Sequence, residues 1–170
     1  MASATAKVPK LDECNCLAVR QAARHITQFY DRFLPDVRLR TTQFSILERL
    51  RRNGPMTINA LAAEMVMDRT TMGRNVHPLQ RDGLITAVTD KTDRRRKTLL
   101  LTDAGLARLT ACYPCWNDAQ AQFHAAFGPE PPAELRRLLH AVSTSDLERD
   151  PRSNSVSWPV ALSLYSRPKR

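Results

Sequence analysis

Residues 57–102 read TINALAAEMVMDRTTMGRNVHPLQRDGLITAVTDKTDRRRKTLLLT, two short helical patterns followed by two β-branched, apolar runs around a basic turn. Ile58, Leu61, Ala62 and Met65 fall at the i, i+3, i+4, i+7 spacing of a half-buried helix, predicted from about Thr57 to Val66. Asp68 is a good N-cap for a second helix, because its carboxylate can accept a backbone N–H left free in the first turn; that helix should end before Gly83. Its apolar positions Met72, Val76 and Leu79 define a buried stripe. The opposite face then carries Arg69, Thr70, Gly73, Arg74, His77, Gln80 and Arg81, with Thr71 beside them. Leu84 to Thr89 and Lys97 to Thr102 read as strands, and the charged loop between them, with Arg94, Arg95 and Arg96, as a wing.

The arrangement is that of a winged helix-turn-helix. A B-DNA major groove admits one helix, whose side chains read base edges while neighbouring groups hold phosphates. Wing arginines then reach the minor groove or the backbone beside it. Charge is localised accordingly. Residues 69–97 hold eight Lys/Arg and three Asp/Glu, net +5, and residues 149–170 hold five against one, net +4; these two segments account for the whole net charge of +9. Such localisation is the footprint of phosphate binding.

In order and spacing, residues 39–105 resemble the MarR family of transcriptional regulators. The resemblance rests on Leu39-Arg40-Thr41-Thr42-Gln43-Phe44-Ser45-Ile46-Leu47, Gly54-Pro55-Met56-Thr57, Asp68-Arg69-Thr70-Thr71 with Arg74, and Leu79 with Gly83-Leu84-Ile85. It continues through Asp93-Arg94-Arg95 and Leu101-Thr102-Asp103-Ala104-Gly105. It implies a homodimer with two winged lobes, binding a pseudo-palindromic operator in double-stranded DNA and usually repressing transcription until a small-molecule effector releases it. By the same resemblance Arg69, Thr70, Thr71 and Arg74 face DNA, and Arg95 is the wing-tip arginine, held by Asp93. Gly73 stands where the family often has Ser or Thr, which removes a hydroxyl and weakens the helix by about 1 kcal/mol relative to Ala.

Outside the lobe, residues 12–34 carry a helical stripe of Leu17, Ala18, Ala22, Ile26, Phe29, Tyr30 and Phe33, closed by Pro35, and residues 41–53 make the next helix. After the wing, Thr102 can cap a helix with the stripe Leu109, Cys112, Trp116, Phe123 and Phe127. Pro114 interrupts it, so a bend or short break is predicted near residues 110–114. Gly128-Pro129-Glu130-Pro131-Pro132 is a stop, followed by a last stripe of Leu135, Leu138, Leu139 and Val142.

The predicted class is therefore mostly α with a small β-wing. The organisation is an N-terminal tail (1–10), a dimerisation helix (11–38), the DNA-binding lobe (39–105), dimerisation helices (106–148) and a C-terminal tail (149–170), partly disordered or docked on the partner; the dimerisation role comes from the resemblance. No stretch of about 18 apolar residues indicates a membrane span, and the first ten residues lack the apolar core of a secretory signal. A cytoplasmic protein without a membrane partner is expected.

No Gly-rich phosphate loop, nucleophile elbow or paired-carboxylate constellation is visible, so no enzyme and no cofactor is expected; the alternatives of another class are a thiol-dependent enzyme, a cysteine being the one plausible nucleophile, and a winged helix used for protein contacts. The signal to which the protein answers has two readings. A small aromatic or anionic compound can bind between lobes and dimer helices, where Arg20, Arg24, Tyr30, Arg40 and Trp116 are candidates. Alternatively, Cys16 acts as a redox thiol. Cys14 and Cys16 open the first helix, where thiol pKa values are lowered, and Arg20 follows one turn later. The resemblance places Cys16 at the reactive position of organic-hydroperoxide sensors and Tyr30 at one of their thiol-binding tyrosines, with Arg20 where another tyrosine would be. Oxidised Cys16 would then be capped by Cys14, Cys112, Cys115 or a small thiol. Against this, Cys16 and Cys112 can be small buried apolar groups, as free cysteines usually are. A Cys14/Cys16/Cys112/Cys115 zinc site is disfavoured because the first pair diverges on a regular helix.

Overall fold

The computed structural model describes residues 11–34, 38–89, 97–128 and 130–145. A 3-10 turn (Leu11–Glu13) leads into α1 (Asn15–Asp31), followed by α2 (Thr41–Asn53), β1 (Met56–Thr57), α3 (Ile58–Glu64) and α4 (Arg69–Arg81). Next come β2 (Ile85–Thr89), β3 (Lys97–Leu101), α5 (Asp103–Phe127) and α6 (Pro131–Ser143). The tails expected at 1–10 and 149–170, and the wing loop with Arg94, Arg95 and Arg96, lie outside the described residues.

The core sits under the helix-turn-helix. Ile46 and Leu47 of α2, Leu61 of α3, Met72 of α4 and Leu109 of α5 are all fully buried, so the stripes read from the sequence converge on one apolar centre. The sheet is antiparallel with β3 in the middle, pairing Ile85 with Leu101 and Thr89 with Lys97 on one side and Met56 with Leu99 on the other. β1 was not foreseen: two residues are too few to show a period, and only pairing with β3 makes them a strand.

The break expected near residues 110–114 does not occur. α5 runs unbroken for 25 residues with Pro114 inside it. Pro114 and Thr110, whose carbonyl loses its helical partner, are both exposed, so water can satisfy the freed oxygen. Buried Leu109 and Cys112 before the proline and buried Ala119 after it hold the helix on both sides. Pro78 inside α4 passes unnoticed in a reading based on apolar spacing, and is tolerated in the same way beside exposed Arg74. At the other end of the lobe, Asp31 stands in for a missing N-cap: its carboxylate accepts from both the backbone N–H (2.7 Å) and the hydroxyl (2.6 Å) of Thr41 at the start of α2.

Two junctions fasten α5 to the lobe. At its start the Thr102 N–H donates to the Leu84 carbonyl (3.2 Å), and the Thr102 hydroxyl donates to the Gly83 carbonyl (2.7 Å) while accepting from the Gly105 N–H (3.0 Å). Gly105 lies so close to β2 that an added Cβ would collide with the Leu84 carbonyl oxygen. Further along, the Tyr113 hydroxyl donates to Glu48 of α2 (3.0 Å), which also accepts from Arg51 (2.8 and 2.9 Å) and Arg52 (2.5 Å). The Arg51 hydrogen bond leads in holding the Glu48 carboxyl down at about 2, opposed by desolvation and helped by Arg52 and Tyr113.

Two stability measurements check these junctions. Gly105→Ala should lower the unfolding free energy by about 1–3 kcal/mol in denaturant titration, since the clash is with backbone. Because the Glu48 pKa is depressed in the folded chain, its stabilisation is fully present above about 4.5 and drains away as pH falls toward about 2. Glu48→Gln should remove that part of the acid dependence and cost about 1–2 kcal/mol at pH 7, the arginines being half in water.

Candidate nucleic-acid interface

The helix-turn-helix is built by local capping. The Thr57 hydroxyl accepts the Ala60 N–H at the start of α3 (3.2 Å), and Asp68 accepts both the N–H (2.8 Å) and the hydroxyl (2.6 Å) of Thr71 at the start of α4. The Thr71 hydroxyl bond, then its backbone bond, lowers the Asp68 pKa and keeps the cap charged. α4 buries Met72, Val76 and Leu79 and closes on Gly83, whose φ of +72° suits glycine. The stripe read from the sequence is the stripe observed.

Burying that stripe turns Arg69, Thr70, Arg74, His77, Gln80 and Arg81 to solvent. Arg69 is steadied by Asn59 of α3 (Nη1 to Oδ1, 3.2 Å), and Arg81 meets Asp82 (3.1 Å) in an exposed pair of little energetic weight. Among the described residues the Arg74 and His77 side chains make no hydrogen bond or ion pair. Thr71 is half-buried and spends its hydroxyl hydrogen on Asp68, which makes it first a capping residue. Gly73, also half-buried, lines a groove of about 680 Å³ between α4, Thr57 of β1 and Lys97 of β3. Lys97, Asn59 and Thr57 escaped the sequence reading because they lie on other elements and meet α4 only in the fold.

The candidates for signal reception divide between places. Arg20 and Arg24 are exposed on α1, and Arg40 is exposed at the start of α2. Tyr30 belongs to an aromatic cluster with Phe29 (5.3 Å between centroids) and Phe123 of α5 (6.3 Å); burial raises its pKa, against the opposing charge of Arg136. Trp116 belongs to a different cluster, stacked on Phe44 of α2 at 6.1 Å and 19°. It lines a crevice of about 430 Å³ with Phe44, Arg49, Arg52, Met65 and Val66. Of the cysteines, Cys14 and Cys16 are exposed, Cys115 is half-buried and Cys112 is buried. Within the single chain, burial of Cys112 fits the picture of a small apolar group, while Cys16 is uncovered on α1. The Cys112 thiol donates to the Arg108 carbonyl (3.2 Å), and burial, with Cys115 nearby, pushes its pKa up to about 11.

The turn between α3 and α4 holds an oddity. Val66 has φ of +51° and is 72% exposed, a left-handed conformation that a β-branched residue rarely adopts.

Comparison with known proteins agrees with this architecture. Residues 39–97 match the model of the MarR family. The crystal structure of the transcriptional regulator MosR of M. tuberculosis in complex with DNA is 37% identical, with a TM-score of 0.69 over 77% of this chain and 94% of that one. The chain belongs to the MarR family. This makes it a member of a family of transcriptional regulators with the winged-helix fold. A probable transcriptional regulator from Pseudomonas aeruginosa is 28% identical, with a TM-score of 0.69 over 78% of this chain and 99% of that one. The HTH-type transcriptional repressor NicR of Pseudomonas putida is 31% identical over 97 residues, which take in 57% of this chain and 61% of that relative. Among the described residues no helix is long and apolar enough to cross a membrane.

The strained turn offers a direct test. Val66→Asn, a residue that tolerates the left-handed region, should raise the unfolding free energy by about 1 kcal/mol in thermal or denaturant unfolding.

Proposed function

We propose that this MarR-family chain is a homodimeric, sequence-specific DNA-binding repressor whose hold on a pseudo-palindromic operator is released by a small molecule. The observation that carries the reading is the solvent face of α4, where Arg69, Arg74, His77 and Arg81 stand exposed on a helix whose other face is locked into the core. Thr70 and the half-buried Thr71 and Gly73 complete the contact face, and Arg94, Arg95 and Arg96 of the wing, outside the described residues, supply minor-groove or backbone contacts. The DNA-bound state of the MosR structure supports DNA as the ligand, and the name of NicR supports repression.

Dimerisation is supported by what the single chain leaves uncovered. α1 buries none of its residues, and α6 exposes Leu135, Leu138, Leu139 and Val142 along one side. A water-exposed stripe of this kind calls for an apolar partner. A second copy would also space two α4 helices by about 34 Å, one turn of DNA. The effector reading is supported by the crevice beside Trp116, whose lining sets an aromatic ring near Arg49 and Arg52; these are paired with Glu64 and Glu48 of the same crevice, which an anionic group would have to displace. Release follows only if the effector prefers the DNA-incompetent arrangement.

A second reading, thiol sensing, is supported by the position of Cys14 and Cys16 at the start of α1, uncovered within the single chain, while Cys112 is tied up. In it, the Cys16 thiolate takes the terminal oxygen of an organic hydroperoxide, giving a sulfenic acid and an alcohol. A second thiol, from Cys14, Cys112, Cys115 or a small thiol, then displaces water to form a disulfide.

Fluorescence anisotropy of the reduced protein on a labelled duplex from immediately upstream of its own gene tests both. Tight, salt-sensitive binding is expected. Arg74→Ala should weaken the operator more than random DNA, and Leu138→Glu should give a monomer in sedimentation with operator affinity at least ten-fold lower. Loss of binding on adding organic hydroperoxide, restored by dithiothreitol and absent in Cys16→Ser, selects the thiol reading; indifference to peroxide rejects it. No binding to any duplex rejects the repressor.

A further inference from the structure

The run Cys112-Tyr113-Pro114-Cys115 sets two thiols three residues apart inside α5. On a helix that spacing brings two side chains to one face, with Cβ atoms about 5–6 Å apart, whereas residues two apart, such as Cys14 and Cys16, do not face each other. Cys112 is buried in the core, and Cys115, packed against the same core, is half-buried. The pair thus spans the boundary between interior and solvent, with Cys115 at the entrance.

The surroundings select among ligands. Among the described residues no group of three or more His, Cys, Asp or Glu could hold a metal ion, so the two sulfurs stand without a third ligand. Two thiolates alone suit a soft cation such as copper(I), and leave zinc, which takes four ligands in structural sites, short of partners. Charge agrees with a monovalent ion. Two thiolates and one such cation carry a single negative charge, which needs a counter-charge when buried. Burial chiefly, and Cys115 after it, raise the Cys112 pKa, and the Arg108 guanidinium opposes them, so that cation lies close enough to act as the counter-charge.

Pro114 gives the pair freedom to close. It donates no hydrogen bond to the Thr110 carbonyl, so the turn that carries both cysteines lacks one rung of the helix and adjusts more cheaply than an intact turn. The Cys112 thiol now donates to the Arg108 carbonyl (3.2 Å), an oxygen that keeps its helical partner when the thiol turns away.

We propose that Cys112 and Cys115 form a two-coordinate site for a soft monovalent cation of the copper(I) and silver(I) kind. Both S–H bonds break, two protons pass to solvent and two sulfur–metal bonds form, with no electron transferred. The two ligands bracket Tyr113, whose hydroxyl holds Glu48 of α2, so an ion in the site pulls on an attachment between α5 and the lobe.

The test titrates the reduced, full-length Cys14→Ser/Cys16→Ser chain with silver(I), and under anaerobic conditions with copper(I) against a chromophoric copper(I) chelator. Removing the N-terminal thiols leaves the pair in α5 as the only cysteines. Each ion should bind at about one per chain, and adding Cys115→Ser should weaken both by at least about ten-fold while circular dichroism stays unchanged. An equal concentration of zinc should not displace either ion. A readout without substitution in the site is alkylation by iodoacetamide: one equivalent of silver(I) should protect Cys115. Failure of either ion to bind overturns the proposal, as does displacement by zinc, undiminished alkylation of Cys115, or affinity that Cys115→Ser leaves intact.

Discussion

The hydroxyl of Thr102 holds together parts of the molecule that have separate tasks. It donates to the carbonyl of Gly83, where α4 has just ended, and accepts from the N–H of Gly105, where α5 begins. With the Thr102 N–H on Leu84 and Gly105 seated against the same residue, the end of the basic helix, the edge of the sheet and the start of the longest helix meet within a few ångströms. Movement of α5 is thereby transmitted to the end of α4 with little slack. The Glu48–Tyr113 bond makes a second attachment further along α5, so the long helix cannot pivot about Thr102 without disturbing α2.

This explains which parts of the fold were legible in the sequence. Met72, Val76 and Leu79 announce a buried stripe because helix period and core packing ask for the same residues. Thr57, Asp68 and Thr102 announce helix starts because capping is local chemistry. Pro114 misleads, since the cost of a proline depends on whether the freed carbonyl reaches water, and the one-dimensional pattern does not contain that. β1 is invisible for a related reason: Met56 and Thr57 become a strand only through pairing with Leu99 and Thr98.

The site divides in the same way. Its basic helix face follows from subtracting the apolar stripe, so Arg69, Arg74, His77 and Arg81 could be read in advance. Asn59, Thr57 and Lys97 come to α4 from α3, β1 and β3, and no spacing in the chain relates them. Among the cysteines, burial separates Cys112 from Cys14 and Cys16, and burial is a property of the fold. Tyr30 and Trp116, grouped by residue type as effector candidates, stand in separate aromatic clusters, so one small ligand need not touch both.

α1 is seventeen residues long and none of them is buried. An isolated helix of that length is marginal in water unless its sequence is rich in strong helix formers, and α1 includes Asn, Cys, Val, Ile, Thr, Phe and Tyr. Its aromatic contacts with α5 hold only one end, through Phe29, Tyr30 and Phe123. In the proposed dimer, winding of the other end and the covering of its apolar side by a partner would be a single event, each stabilising the other. Dilution of such a dimer would then unwind this segment, and Cys14 and Cys16 stand at the end that has no aromatic contact with α5 to hold it.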